Sequence, residues 1–287
     1  MDVDVVVPGG AMGALYTLGG VALVRELECA GVVRVRAYYA TSAGSLLAVS
    51  ALCFATDELV ARTREFVGML QERARTHWAS ETVSAYLEAC LPADAHVRCA
   101  GKLVLSTTRL ARARRETVRA FDTRDALISA AVDSCRLPFF SAPARCVVGR
   151  HDGYLSPTPD SETGGVVTLP YPPAWETVAL SLRVVWWAAP FMPATDLDAR
   201  ARAALDAGVD LAVPPIARAV DVPPAVVAHT RAAVAKAHAE RHVRTKDESD
   251  GGLVLAAHRL ARRVARRLYL RFLRSASTLL KVELRSR

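Results

Sequence analysis

Ser42 lies in the string Ala40-Thr41-Ser42-Ala43-Gly44, directly after the apolar stretch Val32 to Tyr39. A strand that stops abruptly and turns into a helix needs small residues two places before and two places after the turn. Larger side chains collide as the backbone doubles back. The residue at the apex then carries its side chain out of the fold, where a hydroxyl can attack an electrophile. This is the pattern of a nucleophile elbow, with Ala40 in place of the usual first glycine. A buried serine at a helix start accounts for the same string without any chemistry. Upstream, Val5-Val6-Val7-Pro8-Gly9-Gly10-Ala11-Met12-Gly13 reads as a short buried strand, a glycine-rich loop and a helix start. Exposed backbone N–H groups at a helix start bind anions, so such a loop suits a phosphate or an oxyanion. Downstream lies His151-Asp152-Gly153-Tyr154. Its Asp-Gly pair supplies a carboxylate, and it is equally an ordinary turn signal.

The order and spacing of these three segments resemble the patatin-like phospholipase family. That family has a Gly-rich oxyanion loop after its first strand, then a G-x-S-x-G elbow, and far downstream an Asp-Gly pair. The stretch Asp133-Ser134-Cys135-Arg136-Leu137-Pro138-Phe139-Phe140 is similar to the family's A-S-x-x-I-P segment. The resemblance covers roughly residues 3 to 190. It implies an α/β fold, a three-layer α/β/α sandwich with a mainly parallel central sheet, followed here by C-terminal helices. It implies a Ser42–Asp152 dyad without a histidine, acting through an acyl-serine on glycerophospholipids or acylglycerols. The oxyanion would be held by backbone N–H groups of Gly9, Gly10 and Ala11, with Ala43 as a further donor. Gly13, Gly44 and Gly153 support the motifs. No cofactor and no metal are implied. The chain departs from the family at Pro8, where a glycine is usual, and at Met12, where a basic residue is usual. It departs again at Ala40 and at Tyr154, which replaces a small residue.

An isolated serine hydroxyl is a poor nucleophile and needs a base in hydrogen-bond reach. A carboxylate with an ordinary pKa near 4 is weak for that task, and burial raises its basicity. His151 adjoins Asp152, so in an extended segment the two side chains point apart. His238 and His242 are spaced for one helix face, with Glu240 between them. The H-E-x-x-H order is absent, and a solvated basic face explains them.

These residues must be positioned by elements, and the pattern supplies them. Val3 to Val7 reads as a strand and Ala14 to Ala30 as a helix ending near Gly31. Val32 to Tyr39 is a second strand, and Ser45 to Phe54 a helix after the elbow. Alternating strands and helices argue for a parallel α/β sheet with covered faces. Helices follow at Asp57 to Leu70, Glu81 to Cys90 and Thr123 to Ser134, with Asp125 in the first turn of the last. Lys102 to Ser106 and Arg145 to Gly149 read as strands, the latter delivering Asp152. Arg109 to Arg115 reads as a solvated hairpin face. Val178 to Trp187 is strand-like, and Trp186 to Pro193 reads as a core corner or an acyl-chain contact. Beyond it the chain is Ala-rich and helical, with breaks expected at Pro214-Pro215 and Pro223-Pro224. This gives a catalytic unit at 1–195, a helical extension and polar linker at 196–252, and a basic amphipathic helix at 253–287.

Composition narrows the classes. The chain has 287 residues, 52% of them hydrophobic, enough for a sizeable core. Its six cysteines form no C-x-x-C pair, which argues against a zinc ribbon or a disulfide framework and for free thiols in a reducing compartment. The start Met1-Asp2-Val3-Asp4 lacks a basic signal-peptide region, and no apolar run reaches the roughly 18 residues of a membrane span. The expectation is a cytoplasmic protein with peripheral membrane association. The whole of the net charge of +8 comes from the last segment, where Arg259, Arg262, Arg263, Arg266 and Arg267 alternate with apolar residues at helical spacing. Such a helix can lie on an anionic membrane or pack on the domain. No nucleic-acid motif appears. Two rival readings remain at this level. One is a catalytically weak lipid- or membrane-binding protein. The other is a nucleotide-binding α/β protein, although neither G-x-x-x-x-G-K-[ST] nor G-x-G-x-x-G occurs in the loop.

Overall fold

The computed structural model describes residues 1–10, 13–73, 77–109, 114–137, 141–142, 150–152, 166–170 and 194–239. The elements run β1 (Asp2–Val7), α1 (Ala14–Cys29), β2 (Arg34–Thr41), α2 (Ala43–Cys53), α3 (Thr56–Arg73), α4 (Ala79–Cys90) and α5 (Ala95–Cys99). They continue with β3 (Leu103–Arg109), β4 (Arg114–Val118), α6 (Arg124–Ser134), β5 (Arg150–Asp152), β6 (Val166–Thr168), α7 (Ala194–Ala217) and α8 (Pro224–Ala239). The alternation of strands and helices in the first half is the one that the sequence predicts. The expected segments 145–149 and 178–187, the aromatic stretch 186–193 and the basic helix 253–287 lie outside the described residues. So do Glu240 and His242.

The sheet has the order β4-β3-β2-β1-β6, with β5 paired to β3 off this path. Strands β6, β1, β2 and β3 are parallel, whereas β4 and β5 run antiparallel to β3. The sheet is therefore mixed, which corrects the expectation of a mainly parallel one. The chain between Arg109 and Arg114 is too short for the crossover of about a dozen residues that a parallel pair needs, so β4 has to return antiparallel. This is the expected hairpin, with Arg109 opposite Arg114.

Register sorts the side chains onto two faces. Val5, Tyr38 and Leu103 are in line across β1, β2 and β3, as are Val7, Ala40 and Leu105. All six belong to the main apolar core, to which every described helix contributes. Val6, Tyr39 and Val104 form the intervening row, and they make a separate buried cluster on the other face. That alternation is the period of two of a strand buried on both sides. Among the described residues the helices lie with the first face, and a third layer over the second is not seen.

Two glycines explain how the long helices meet. A Cβ on Gly208 of α7 would stand 2.0 Å from the Tyr16 carbonyl oxygen, and one on Gly19 of α1 2.4 Å from the Leu205 carbonyl oxygen. The helices thus cross backbone to backbone. The predicted break at Pro214-Pro215 does not occur, and α7 runs on to Ala217 with both prolines inside it. Val209, Ala212 and Ile216 are buried in the core from this stretch. Their packing outweighs the backbone bonds that two prolines remove. The expected break at Pro223-Pro224 is present, with Pro224 as the first residue of α8, where its missing N–H costs nothing. Helix α1 closes with Gly31 at φ +71°, while the N–H groups of Gly31 and Val32 bond the Glu28 and Leu27 carbonyls. This is a Schellman end, and it turns the chain into β2. No described helix is long and apolar enough to cross a membrane.

Candidate active site

Strand β3 brings the two chemical residues together. The last residue of β2, Thr41, stands opposite Ser106, and the next position of β3, Thr107, stands opposite Asp152 of β5. Both partners share the edge of β3 that β4 leaves open. The nucleophile's strand and the carboxylate's strand therefore occupy consecutive stations of one ladder. Ser42, one residue past β2, lands beside Asp152. Its Oγ donates a hydrogen bond of 2.6 Å to Asp152 Oδ2. Ser42 is 9% exposed and Asp152 1%. The extended segment Arg150–Asp152 ends on the carboxylate, and the serine reaches it directly.

The backbone at Ser42 is strained. With φ 54° and ψ −133° it is the one non-glycine residue of positive φ among the described residues. Such a conformation costs about 1–3 kcal/mol and persists only where the surroundings enforce it. They do so here. Ser42 is the cap of α2, yet its hydroxyl makes no cap bond because it is turned to Asp152. A Cβ on Gly44 would lie 2.5 Å from the Val7 and Pro8 carbonyl oxygens, so α2 starts hard against the end of β1. The small residue two places after the serine is thus a steric requirement. Ala40, two places before it, is fully buried in the core, and its methyl is accommodated.

Ser134, at the end of α6, ties this turn down. Its Oγ donates to the Ser106 carbonyl oxygen at 2.8 Å and accepts the Ser42 N–H at 3.0 Å. Ser45 Oγ lies 2.8 Å away and, with the Ser134 proton already used, is the donor of that pair. One hydroxyl thereby joins the elbow, β3 and α6. The Asp152 backbone is held as firmly. Its N–H donates to the Arg136 carbonyl at 2.8 Å, and its carbonyl accepts Thr108 Oγ1 at 2.9 Å. Ser134 was legible only as part of a motif, without a role. Ser45, Ser106 and Thr108 left no signal, because their partners come from distant segments.

The glycine-rich loop closes on the same serine. A Cβ on Gly9 would meet Ser42 Cβ at 2.7 Å and the Thr41 carbonyl oxygen at 3.0 Å, so bare backbone is what fits there. Gly9 and Gly10 are buried, and the Gly13 N–H bonds the Gly10 carbonyl at 2.8 Å. Ala43 opens α2 beside the hydroxyl, where the helix dipole favours negative charge. Ala11, Met12, Gly153 and Tyr154 lie outside the described residues, as do Arg259, Arg262, Arg263, Arg266 and Arg267.

Cys135 adjoins the carboxylate. Burial pushes its thiol well above the ordinary range, and the nearby Asp152 charge pushes it the same way. It stays a neutral thiol and is no competing nucleophile. A small apolar cleft, partly open to solvent, lies between the helices and is lined by Ala14, Ala43, Leu47, Val67, Phe66 and Tyr86. No group of three or more His, Cys, Asp or Glu is arranged to hold a metal ion among the described residues. No family model matches the chain, and no curated protein matches it.

Proposed function

We propose that this protein is a serine-dependent carboxylic ester hydrolase of the patatin-like phospholipase type, acting on phospholipids or acylglycerols, with Ser42 as nucleophile and Asp152 as base. The observation that carries the reading is the 2.6 Å bond from a strained, elbow-borne Ser42 to the buried carboxylate of Asp152. A merely structural serine at a helix start has no need of positive φ, and its hydroxyl caps the helix. In the proposed reaction Asp152 takes the hydroxyl proton as Ser42 Oγ bonds the ester carbonyl carbon. The alkoxide of the tetrahedral intermediate faces the loop glycines and the start of α2, which offer backbone N–H groups. Collapse expels the alcohol, which takes the proton from Asp152, and leaves an acyl-serine. A water then gives its proton to Asp152 and attacks the acyl carbon, and collapse releases the carboxylic acid while the Ser42 oxygen takes the proton back from Asp152. The apolar lining of the cleft at Ala43 is of the character an acyl chain needs, and the arginines of 253–287 suit an anionic membrane.

The position of Gly9 weighs against the nucleotide reading, since its backbone presses directly on Ser42. The test is fatty-acid release from mixed phospholipid vesicles by wild type, Ser42→Ala and Asp152→Asn, each checked for folding. Both variants are expected to lose about 10³-fold or more. Loss in Ser42→Ala alone would reassign the base. An inactive wild type that still binds vesicles would leave a lipid-binding protein.

A further inference from the structure

On β5, Arg150 and Asp152 are two residues apart, so their side chains leave the same face of the sheet. The ladder extends this row, with Arg109 opposite Arg150, Thr107 opposite Asp152, and Glu116 of β4 opposite Thr107. In that row the Glu116 carboxylate accepts Arg109 Nε at 2.7 Å and Nη2 at 3.2 Å, and Arg150 Nε at 3.1 Å. The two guanidiniums hold its carboxyl down to about 2, so it is charged at any ordinary pH. Two cations on one anion leave a surplus positive charge, carried by a strand position two residues from the base. The arginine side chains are 38% and 42% exposed. Among the described residues their bonds to Glu116 engage three of ten guanidinium donors. They are thus pinned in place, charged and still able to donate.

We propose that Arg109 and Arg150, aligned by Glu116, form an anion subsite beside the dyad that takes a phosphate group of the substrate. Guanidinium forks match phosphate oxygens and are weakly hydrated, which suits them to this better than lysines. In a glycerol-based ester the phosphate is only a few bonds from the acyl carbonyl, and the arginine pair shares a sheet face with the base two residues along β5. The proposal rests on the hydrolase reading for its substrate. The cation pair itself does not depend on that reading.

The experiment measures binding in the full-length Ser42→Ala background, where no turnover occurs. The ligands are short-chain phosphatidic acid below its aggregation limit, the diacylglycerol of the same chains, and inorganic phosphate. Calorimetric titrations compare Arg109 and Arg150 intact, Arg150→Gln, Arg109→Gln and Arg150→Lys. Each glutamine variant is expected to lower the preference for phosphatidic acid over diacylglycerol by about tenfold, and the lysine variant by less, with the loss shrinking at high salt. An unchanged preference would overturn the subsite. Equal loss for both lipids would show the arginines to be a structural staple only, and would overturn it too. Arginine-dependent binding of inorganic phosphate, with the lipid preference unmoved, would remove the substrate from the site. Wild type that cleaves no ester while the arginine-dependent preference persists would sink the hydrolase reading and leave the anion site standing.

Discussion

At the scale of single residues the site depends on one hydroxyl that does no chemistry. Ser134 accepts the Ser42 N–H and the Ser45 hydroxyl and donates to the Ser106 carbonyl. Ser134→Ala leaves buried partners unpaired, at a cost of about 1–3 kcal/mol. Because the Ser42 N–H is one of them, the expected kinetic signature is a fall in kcat with a smaller change in KM. Denaturant titration and ester kinetics on the same variant check both. A role in stability alone would leave kcat per folded molecule unchanged. Much of the residue-level geometry was visible beforehand, since Ser42, Asp152, Gly9 and Gly44 sit in short local strings whose spacing has a steric cause. Ser134 was not assignable. Its meaning comes from a partner 92 positions away, and no periodicity encodes that distance.

Among the elements, the sheet and the helix crossing show different limits of the sequence. The strands β1, β2 and β3 were legible from apolar runs between turn signals, though β2 lies two residues later than expected, at Arg34–Thr41. The hairpin into β4 was expected, but the run of the strand on to Val118 was hidden because its residues are mostly charged, and β6 was hidden because it has three residues. The α1–α7 crossing was hidden as well, since a glycine in an alanine-rich helix looks like a flaw until its neighbour is known. Gly208→Ala places a methyl against the Tyr16 backbone, and a loss of about 1–3 kcal/mol or more is expected in urea unfolding. Gly68 has nothing within 4 Å of an added Cβ. There the same substitution should be neutral or slightly stabilising, which makes it the matched control.

The β3–β4–β5 arginine pair gives an acid-stability prediction. Glu116 in the folded protein has its pKa near 2 against an ordinary 4.5, lowered first by Arg109 and then by Arg150. A depressed carboxyl pKa adds stability above the unfolded value, and that stability disappears as pH falls through the folded value. The unfolding midpoints of wild type and Glu116→Gln are therefore expected to differ at pH 7 and to converge between about pH 4.5 and 2. The pair is partly solvated, so the difference at pH 7 should stay within the 0–1 kcal/mol range of exposed ion pairs.

At the scale of the whole molecule, residues of α7 and α8 share the core of the strands that carry the site. The chain after residue 194 is thus built into the same packing as the N-terminal strands. The ladder on β3 has a further consequence, for folding kinetics. Ser42 and Asp152 meet across 110 positions of chain, and β5, which carries the carboxylate, is three residues long. Helices and the β1–α1–β2 unit close over short loops and can form early, whereas this contact must wait for a long closure. On refolding from denaturant, the ester hydrolysis proposed above is expected to return after helical ellipticity has recovered, in a separate slower phase. Simultaneous recovery in stopped-flow experiments would contradict that order. Turnover would then report on completion of the fold, and a chain that has gained its helices but not its last rung would be full of structure and silent.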